Sequence, residues 1–514
     1  MQIKNKLLLA LLAAQILTAP VGANETGEQT VSLMVDVYPA IQKDLLNLVD
    51  TDRLDTRGEP ELGICWSKDE TKVVIRASIH AYSKKSKPDF GAVSGLYFMD
   101  ILNKSDPERI KWCEDTNSIS DDLKSGISGV QWSPSGDYFS FIESRGNRPH
   151  ELNDNAFVLW IIEADSLEVV SKKRIFKVMI GGRVQGYSWS PVDDTIAYIG
   201  LDGTIKDVFI IDMRNNITYE TGINEYVSRF EKTDVTWSPN GKKIAFTKRT
   251  YGKGNESLFV LDINSKKITN LFSADDIAVY SGYAFWSPDS KNLLVAEVTL
   301  DDKFNIYVVD VDSGKSGLLT TLHNGSSIVR RWSSDSKKIL FTVFGTKENV
   351  ETYTLYSMPI DRLTPTLLFK SEKSPKSIVS YKNLTILTVR GDLVLLKDGI
   401  SLLIDDALNY VFNSDDELLY IHKVNNGNST IHVVDPFVNE TLIPLPLQID
   451  VISWSPGGRY LIAKTPPIPA ERNDISEGGF ARETESSDRG VQVPGFTLMQ
   501  LGIVLAIFSI RRRI

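Results

Sequence analysis

An all-β chain, with small sheets repeated and closed into a ring, is predicted by three observations. A phrase of a dozen residues returns again and again, a second phrase ending in aspartate follows most copies, and the repeat interval suits a four-stranded sheet. The first phrase is clearest as VTWSPNGKKIAF, Val235 to Phe246. It recurs as CWSKDETKVVI from Cys65, QWSPSGDYFSF from Gln131, SWSPVDDTIAY from Ser188, FWSPDSKNLLV from Phe285, RWSSDSKKILF from Arg331 and SWSPGGRYLIA from Ser453. In each copy the Trp ends one strand, the Ser-Pro stretch turns the chain, and an alternating apolar run forms the next strand, which makes a β-hairpin. The second phrase is LYFMD at Leu96, VFIID at Val208, LFVLD at Leu258, IYVVD at Ile306 and IHVVD at Ile431. It reads as a third strand, with turn residues and a fourth short strand after it. Four strands at a period of roughly 40 to 50 residues make one blade of a β-propeller.

The elements follow in chain order. Lys4 and Lys6 precede the apolar run Leu7 to Leu17, and Val21-Gly22-Ala23 offers small residues for cleavage after Ala23. Residues 1–23 therefore read as an export signal, too short to span a bilayer comfortably. The propeller is assigned to 24–465. Thr30 to Pro39 alternates as a strand does, and Ala40 to Leu54 suits a short helix. The last Trp phrase supplies only two strands, Val451 to Ser455 and Tyr460 to Lys464, before Pro466-Pro467. The strand near 31–39 is expected to complete that sheet, because closing the ring removes two exposed edges. Trp66, Trp132, Trp189, Trp237, Trp286, Trp332 and Trp454 are spaced 46 to 66 residues apart until a final gap of 122. That gap holds YVFNSDDELLYIHK from Tyr410, with Phe412 in the Trp position. It also holds SIVSYKNLTILTVRGDLVLLKDGISLLIDD from Ser377, four very short strands without the signature. Eight blades are expected, within a range of seven to nine.

After Thr465 the composition changes. Residues 466–493 are rich in Pro, Gly, Ser and charge and have no apolar period, as in a flexible linker. In 494–514 the apolar run Phe496 to Ile510 is fifteen residues, roughly 22 Å as a helix and short for a span. Arg511 to Arg513 close the chain.

The repeated phrases resemble the WD40-like repeat of the TolB-type propeller, whose consensus is close to W-S-P-D-G-x-x-I-A-F followed by I-Y-v-v-D. The resemblance covers roughly Leu62 to Thr465. It implies a fold and little chemistry, since propellers host binding modules and enzymes alike. The Trp, Pro and strand-terminal Asp residues are best read as structural: Trp packs between blades, and Asp caps the following turn. Pro494-Gly495-Phe496 before a short apolar helix and a basic end resembles the PGF-CTERM sorting signal of archaeal surface proteins. That resemblance implies cutting by an archaeosortase and a lipid anchor at the outer face of an archaeal cell membrane.

Composition narrows the function. The chain has 514 residues, 42% hydrophobic and 24% charged, which is ordinary for a globular protein. A net charge of −9 argues against nucleic acid as a partner. Cys65 and Cys113 are too few for a disulfide scaffold. They fall on the innermost and outermost strands of the first blade, about 14 Å apart, beyond bridging reach, so both are expected as free thiols. Asn-x-Ser/Thr sequons at Asn24, Asn103, Asn216, Asn255, Asn324, Asn383, Asn428 and Asn439 suit an exported protein and are possible glycosylation sites. No G-x-S-x-G, P-loop, G-x-G-x-x-G or H-E-x-x-H occurs, so no catalytic residue and no cofactor is assigned. His422 and His432 lie symmetrically about Gly427, and an odd loop would make them direct cross-strand neighbours. Two imidazoles without a third ligand make a weak metal site, and no metal is assigned. Acidic doublets such as Asp193-Asp194 read as solvated turns.

Ligand-binding candidates lie in the loops joining second to third strands, on the funnel face. The first blade offers Tyr82, Lys84, Lys85 and Lys87, the second Arg145 and Arg148, and the fourth Arg249, Tyr251 and Lys253. Long loops on a rigid scaffold are where function concentrates, and a cationic, Tyr-bearing set on an acidic protein suits an anionic envelope partner, protein or glycan. The expected function is a cell-surface binding or scaffolding module, with the membrane reached through the C-terminal anchor. The alternatives are an extracellular propeller enzyme, a glycan or peptide hydrolase or lyase with a carboxylate-lined funnel, and a TolB-like envelope assembly factor.

Overall fold

A computed structural model describes residues 32–464 apart from connecting segments, among them 84–89, 115–125, 145–156, 227–234, 250–255, 280–284, 323–329, 413–417, 424–428 and 445–449. The predicted export signal, linker and sorting signal lie outside the described residues. Strands dominate. Sheet I takes 54–114, II 126–174, III 187–226, IV 235–274, V 278–322, VI 330–371, VII 375–404 and VIII 407–444, each with four or five antiparallel strands. A closing sheet, IX, pairs Asp450–Trp454 with Tyr460–Lys464, and the latter pairs in parallel with Ser32–Val35. The amino-terminal segment thus completes the last sheet, as the half-blade in the sequence required. The fold is a β-propeller. Sheet VII, without any Trp, and sheet VIII, with Phe412 in its place, fill the long gap.

The core is a succession of layers between sheets. Val74 and Leu96 of sheet I pack on Phe139 and Phe141 of II, and Ile142 and Leu159 of II on Tyr187 and Ile196 of III. The same pattern joins III to IV, IV to V, V to VI, VI to VII and VII to VIII. Between the closing sheet and sheet I, Ile462 meets Val73, Ile75 and Met99. Helix α1 (Tyr38–Leu48) buries Ile41 and Leu45 in that same layer, beside Val37 just before it. Asp44 fixes it there, accepting from the Tyr97 hydroxyl at 3.0 Å and Arg109 Nη1 at 2.9 Å.

Each part of the repeated phrase has a visible task. The Trp indoles lie buried or half-buried between sheets, and several of their N–H groups reach back one sheet. Trp132 Nε1 donates to Cys65 O at 2.9 Å, Trp237 to Ser188 O at 3.0 Å and Trp286 to Thr236 O at 3.2 Å. Every acceptor is the residue just before the preceding Trp. The strand-terminal aspartates cap their turns: Asp262 accepts from Ser265 N–H at 2.9 Å and Asp310 from Ser313 N–H at 2.8 Å. The serine after each Trp was not given a role by the sequence reading, yet it closes the turn. In all seven copies its N–H donates to the carbonyl five residues on. In six its Oγ also accepts the N–H of that residue, as Lys243 N–H to Ser238 Oγ at 2.9 Å.

The fourth residue after Trp takes a left-handed backbone: Glu70 (φ 66°), Gly136, Gly241, Ser290 (φ 63°), Ser336 (φ 62°) and Gly458. Glycine adopts this without cost, and other residues lose roughly 1–2 kcal/mol. Where the residue is not glycine, its buried side chain accepts an N–H from the preceding turn. Gly457 N–H donates to Glu70 at 3.0 Å, Asn240 N–H to Ser290 at 3.0 Å, and Asp289 N–H to Ser336 at 3.0 Å. Asp194, one of the acidic doublets, does the same for Ser135 N–H at 3.2 Å. These bonds form a belt from turn to turn. The Glu70 link crosses the ring closure, where the carboxylate also accepts from the Ser455 hydroxyl and pairs with Arg459 at 3.2 Å.

Cys65 lies on the innermost strand of sheet I as a free thiol, and Cys113 on the outermost. The Cys65 thiol contacts Val130 O at 3.6 Å, and burial pushes it up to about 11.

Candidate functional site

The belt gathers the Ser-Pro turns at one end of the sheets. Antiparallel pairing then sends the connections between second and third strands, and those leading from sheet to sheet, to the other end. The predicted ligand residues belong to that loop-bearing end. Tyr82 is near the end of a twelve-residue strand, Lys72–Ser83, opposite Asp55 and Phe90. Arg249 ends Lys243–Arg249, opposite Glu256. The side chains of these two, and all of Lys84, Lys85, Lys87, Arg145, Arg148, Tyr251 and Lys253, lie outside the described residues.

Two buried carboxylates root the loops of this end. Glu143, next to last in its strand and two residues before Arg145, accepts the Trp160 indole N–H at 2.8 Å and pairs with Lys111 at 3.2 Å. Lys111 and Lys172 sit over the Trp160 ring at 3.8 and 3.9 Å, so a desolvated aromatic is clasped by two cations. Asp207 accepts from Val208 N–H, the Thr221 hydroxyl and Gly222 N–H at 2.6 to 2.9 Å, and so ties the start of one strand to the exit of another. Sequence reasoning missed both, because a carboxylate inside an apolar strand carries no motif. Their only signal was an acidic residue at a position where the strand pattern wants an apolar one. Each is satisfied by donors of its own chain, which suits positioning more than chemistry.

The histidine pair needs correcting. Lys423 pairs with Ser429, His422 with Thr430, and Tyr420 with His432. The connection is odd in length but centred on Asn426, so the two histidines are diagonal, not direct, neighbours. No three His, Cys, Asp or Glu side chains converge among the described residues. No helix among them is long and apolar enough to cross a membrane.

A groove of about 900 Å³ opens at the opposite end, between sheets VI and VII. The two sheets differ in size. The middle strands of sheet VI are ten residues long, while sheet VII joins strands of five to seven residues by two-residue turns at Lys382-Asn383, Arg390-Gly391 and Asp398-Gly399. Arg390 and Gly391, like Asp398 and Gly399, all have positive φ, the mirror-image turn that suits strand twist. Across the groove Ser334 N–H of sheet VI donates to Ser380 Oγ of sheet VII at 3.1 Å. On the other side of sheet VII the Tyr381 ring stacks on Phe412 of sheet VIII at 4.0 Å, where other sheets use Trp. Leu340 and Leu396 are buried beneath the groove, and Leu367 and Ile400 remain 49% and 61% exposed at its edge.

No family model matches the chain, and no curated protein matches its sequence. Solved structures similar to it include TolB from Acinetobacter baumannii, at 12% identity and a TM-score of 0.30, covering 66% of this chain and 96% of that one. Oligogalacturonate lyase from Vibrio parahaemolyticus aligns at 11% identity and a TM-score of 0.38, covering 76% of this chain and 94% of that one. Porphyromonas gingivalis dipeptidyl peptidase 4 aligns at 10% identity and 0.44, covering 76% of this chain and 59% of that one. These are likenesses of fold alone, and no substrate or partner passes from them to this chain.

Proposed function

We propose that the chain is an exported β-propeller held at the cell surface, where it binds an anionic component of the envelope, protein or glycan, through its loop-bearing end. The observation that carries this reading is the inequality of the two ends. One end is knitted by the Ser-Pro turns and their belt of hydrogen bonds. From the other emerge the loops with Lys84, Lys85, Lys87, Arg145, Arg148, Arg249 and Lys253. A rigid ring holds such loops at fixed separations, so that their charges act together on one partner. The apolar run after Pro494-Gly495-Phe496 serves processing and attachment, and residues 466–493 space the ring from the surface.

The test replaces Lys84, Lys85, Lys87, Arg249 and Lys253 with Ser and measures binding to isolated envelopes across a salt series. Weaker binding with a shallower salt dependence, at unchanged unfolding midpoint, is expected. Unchanged binding would show that this end is not the working one.

A further inference from the structure

The groove between sheets VI and VII is lined mostly by hydroxyl, amide and charged side chains, with Leu367 and Ile400 exposed at its edge, and the chain carries a group suited to cover it. Asn383 lies in the two-residue turn that forms one lip, between Tyr381 and Leu384, with Lys382 left-handed beside it (φ 51°). It is exposed, and both it and Thr385 line the groove. Asn383-Leu384-Thr385 is a glycosylation sequon. Two other sequon asparagines among the described residues differ. The Asn103 amide donates to Asp100 Oδ2 at 2.8 Å and closes its own turn. Asn216 stands exposed in a turn beside an outermost strand.

We propose that Asn383 carries an N-linked glycan whose first sugars lie in this groove. The inference rests on the export reading above. In the step, Asn383 Nδ2 bonds to C1 of an oligosaccharide donated by a lipid-phosphate carrier. The C1–O bond to phosphate breaks, the lipid phosphate leaves with the electron pair, and one amide proton passes to a base of the membrane transferase. A volume of about 900 Å³ falls within the roughly 300–1,000 Å³ of small-ligand sites, room for a few sugar rings. The lining offers both faces a sugar needs. Leu367 and Ile400 meet the C–H face of a ring, while Ser334, Thr366, Ser401 and the Lys338 ammonium suit its hydroxyls. The glycan then shields the uncharged outer strand Ile400–Ile404, whose free edge would otherwise invite pairing.

The test uses protein isolated from envelopes of its source cells, with glycopeptide mass spectrometry and hydroxyl-radical footprinting read at Leu367 and Ile400. A glycan on Asn383 is expected. Asn383→Gln and Thr385→Val, which removes the sequon but keeps the asparagine, should each lose that glycan's mass and raise labelling of Leu367 and Ile400 several-fold. Asn216→Gln should leave their labelling unchanged. Glycan on Asn216 with none on Asn383 overturns the inference while export stands. Labelling that does not respond to loss of the glycan overturns it too, as does protection in Asn383→Gln accompanied by the mass of two copies. Absence of glycan from every sequon together with an uncleaved leader overturns both this inference and the export reading.

Discussion

Replacing Glu70 with Ala should loosen the ring at its closure more than anywhere else. The carboxylate is 5% exposed and accepts from the Ser455 hydroxyl and, at 3.0 Å, from Gly457 N–H. Leaving a buried donor unpaired costs about 1–3 kcal/mol, and two such donors are stranded. Arg459 adds little, because its side chain is 62% exposed and water takes over its bonds. The left-handed backbone at position 70 persists in the variant and nothing is regained there. The expected loss is roughly 2–6 kcal/mol, the sum over the two stranded donors. A second substitution isolates the contact. A Cβ added at Gly457 would lie 2.3 Å from Glu70 Oε1, so Gly457→Ala should expel the carboxylate and cost nearly as much. In the Glu70→Ala background it should cost little, with a coupling of about 2 kcal/mol. Denaturant unfolding gives the four stabilities, and amide exchange at Leu461 and Ile462, both buried in the closing sheet, should quicken by about two decades. Strictly additive costs, or unchanged protection at those two amides, would refute the clamp.

Three further outcomes are expected. Trp237→Phe should destabilise more than Trp454→Phe, by about 1–3 kcal/mol, because the Trp237 indole bonds Ser188 O whereas Trp454 Nε1 is buried without a partner among the described residues; equal shifts in unfolding midpoint would contradict this. Asp262 and Asp310 are held below the usual carboxylate range, chiefly by the backbone N–H groups of Ser265 and Ser313. Their stabilisation is full above the unfolded value of about 3.9 and is lost as pH falls through the lower folded value. Asp262→Asn and Asp310→Asn should therefore flatten the decline of the unfolding midpoint below about pH 4. Cys65, its thiol raised to about 11 by burial, should resist a thiol reagent in the native state at about pH 8 and react on unfolding; immediate labelling of Cys65 would contradict its burial.

What the sequence by itself determined is what is local and repeated. The Trp-Ser-Pro phrase specifies a hairpin because Trp, the turn residues and the alternating run each restrict the same few dihedrals, and the phrase occurs often enough to announce the ring. The strand-terminal aspartates, the half-blade left at the carboxyl end and the separation of Cys65 from Cys113 follow from strand order alone, so they too were legible. What only the tertiary structure decided depends on residues far apart in the chain. A serine after each Trp looked like turn filler until its hydroxyl was seen bridging the turn. Glu70 holds a left-handed position where its neighbours use glycine, and its reason lies almost four hundred residues away at Gly457. The partner of His422 was two residues off, Thr430 in place of His432, because symmetry about a glycine does not set a loop's centre; cross-strand pairing does. The groove at Asn383 lies where a short sheet meets a long one, and Gly241 meets Val192 of the neighbouring sheet so closely that, at its positive φ, a Cβ has no room. Local sterics are written into each dozen residues, but contacts between blades depend on how closed sheets meet, and a sequence without its fold does not state those distances.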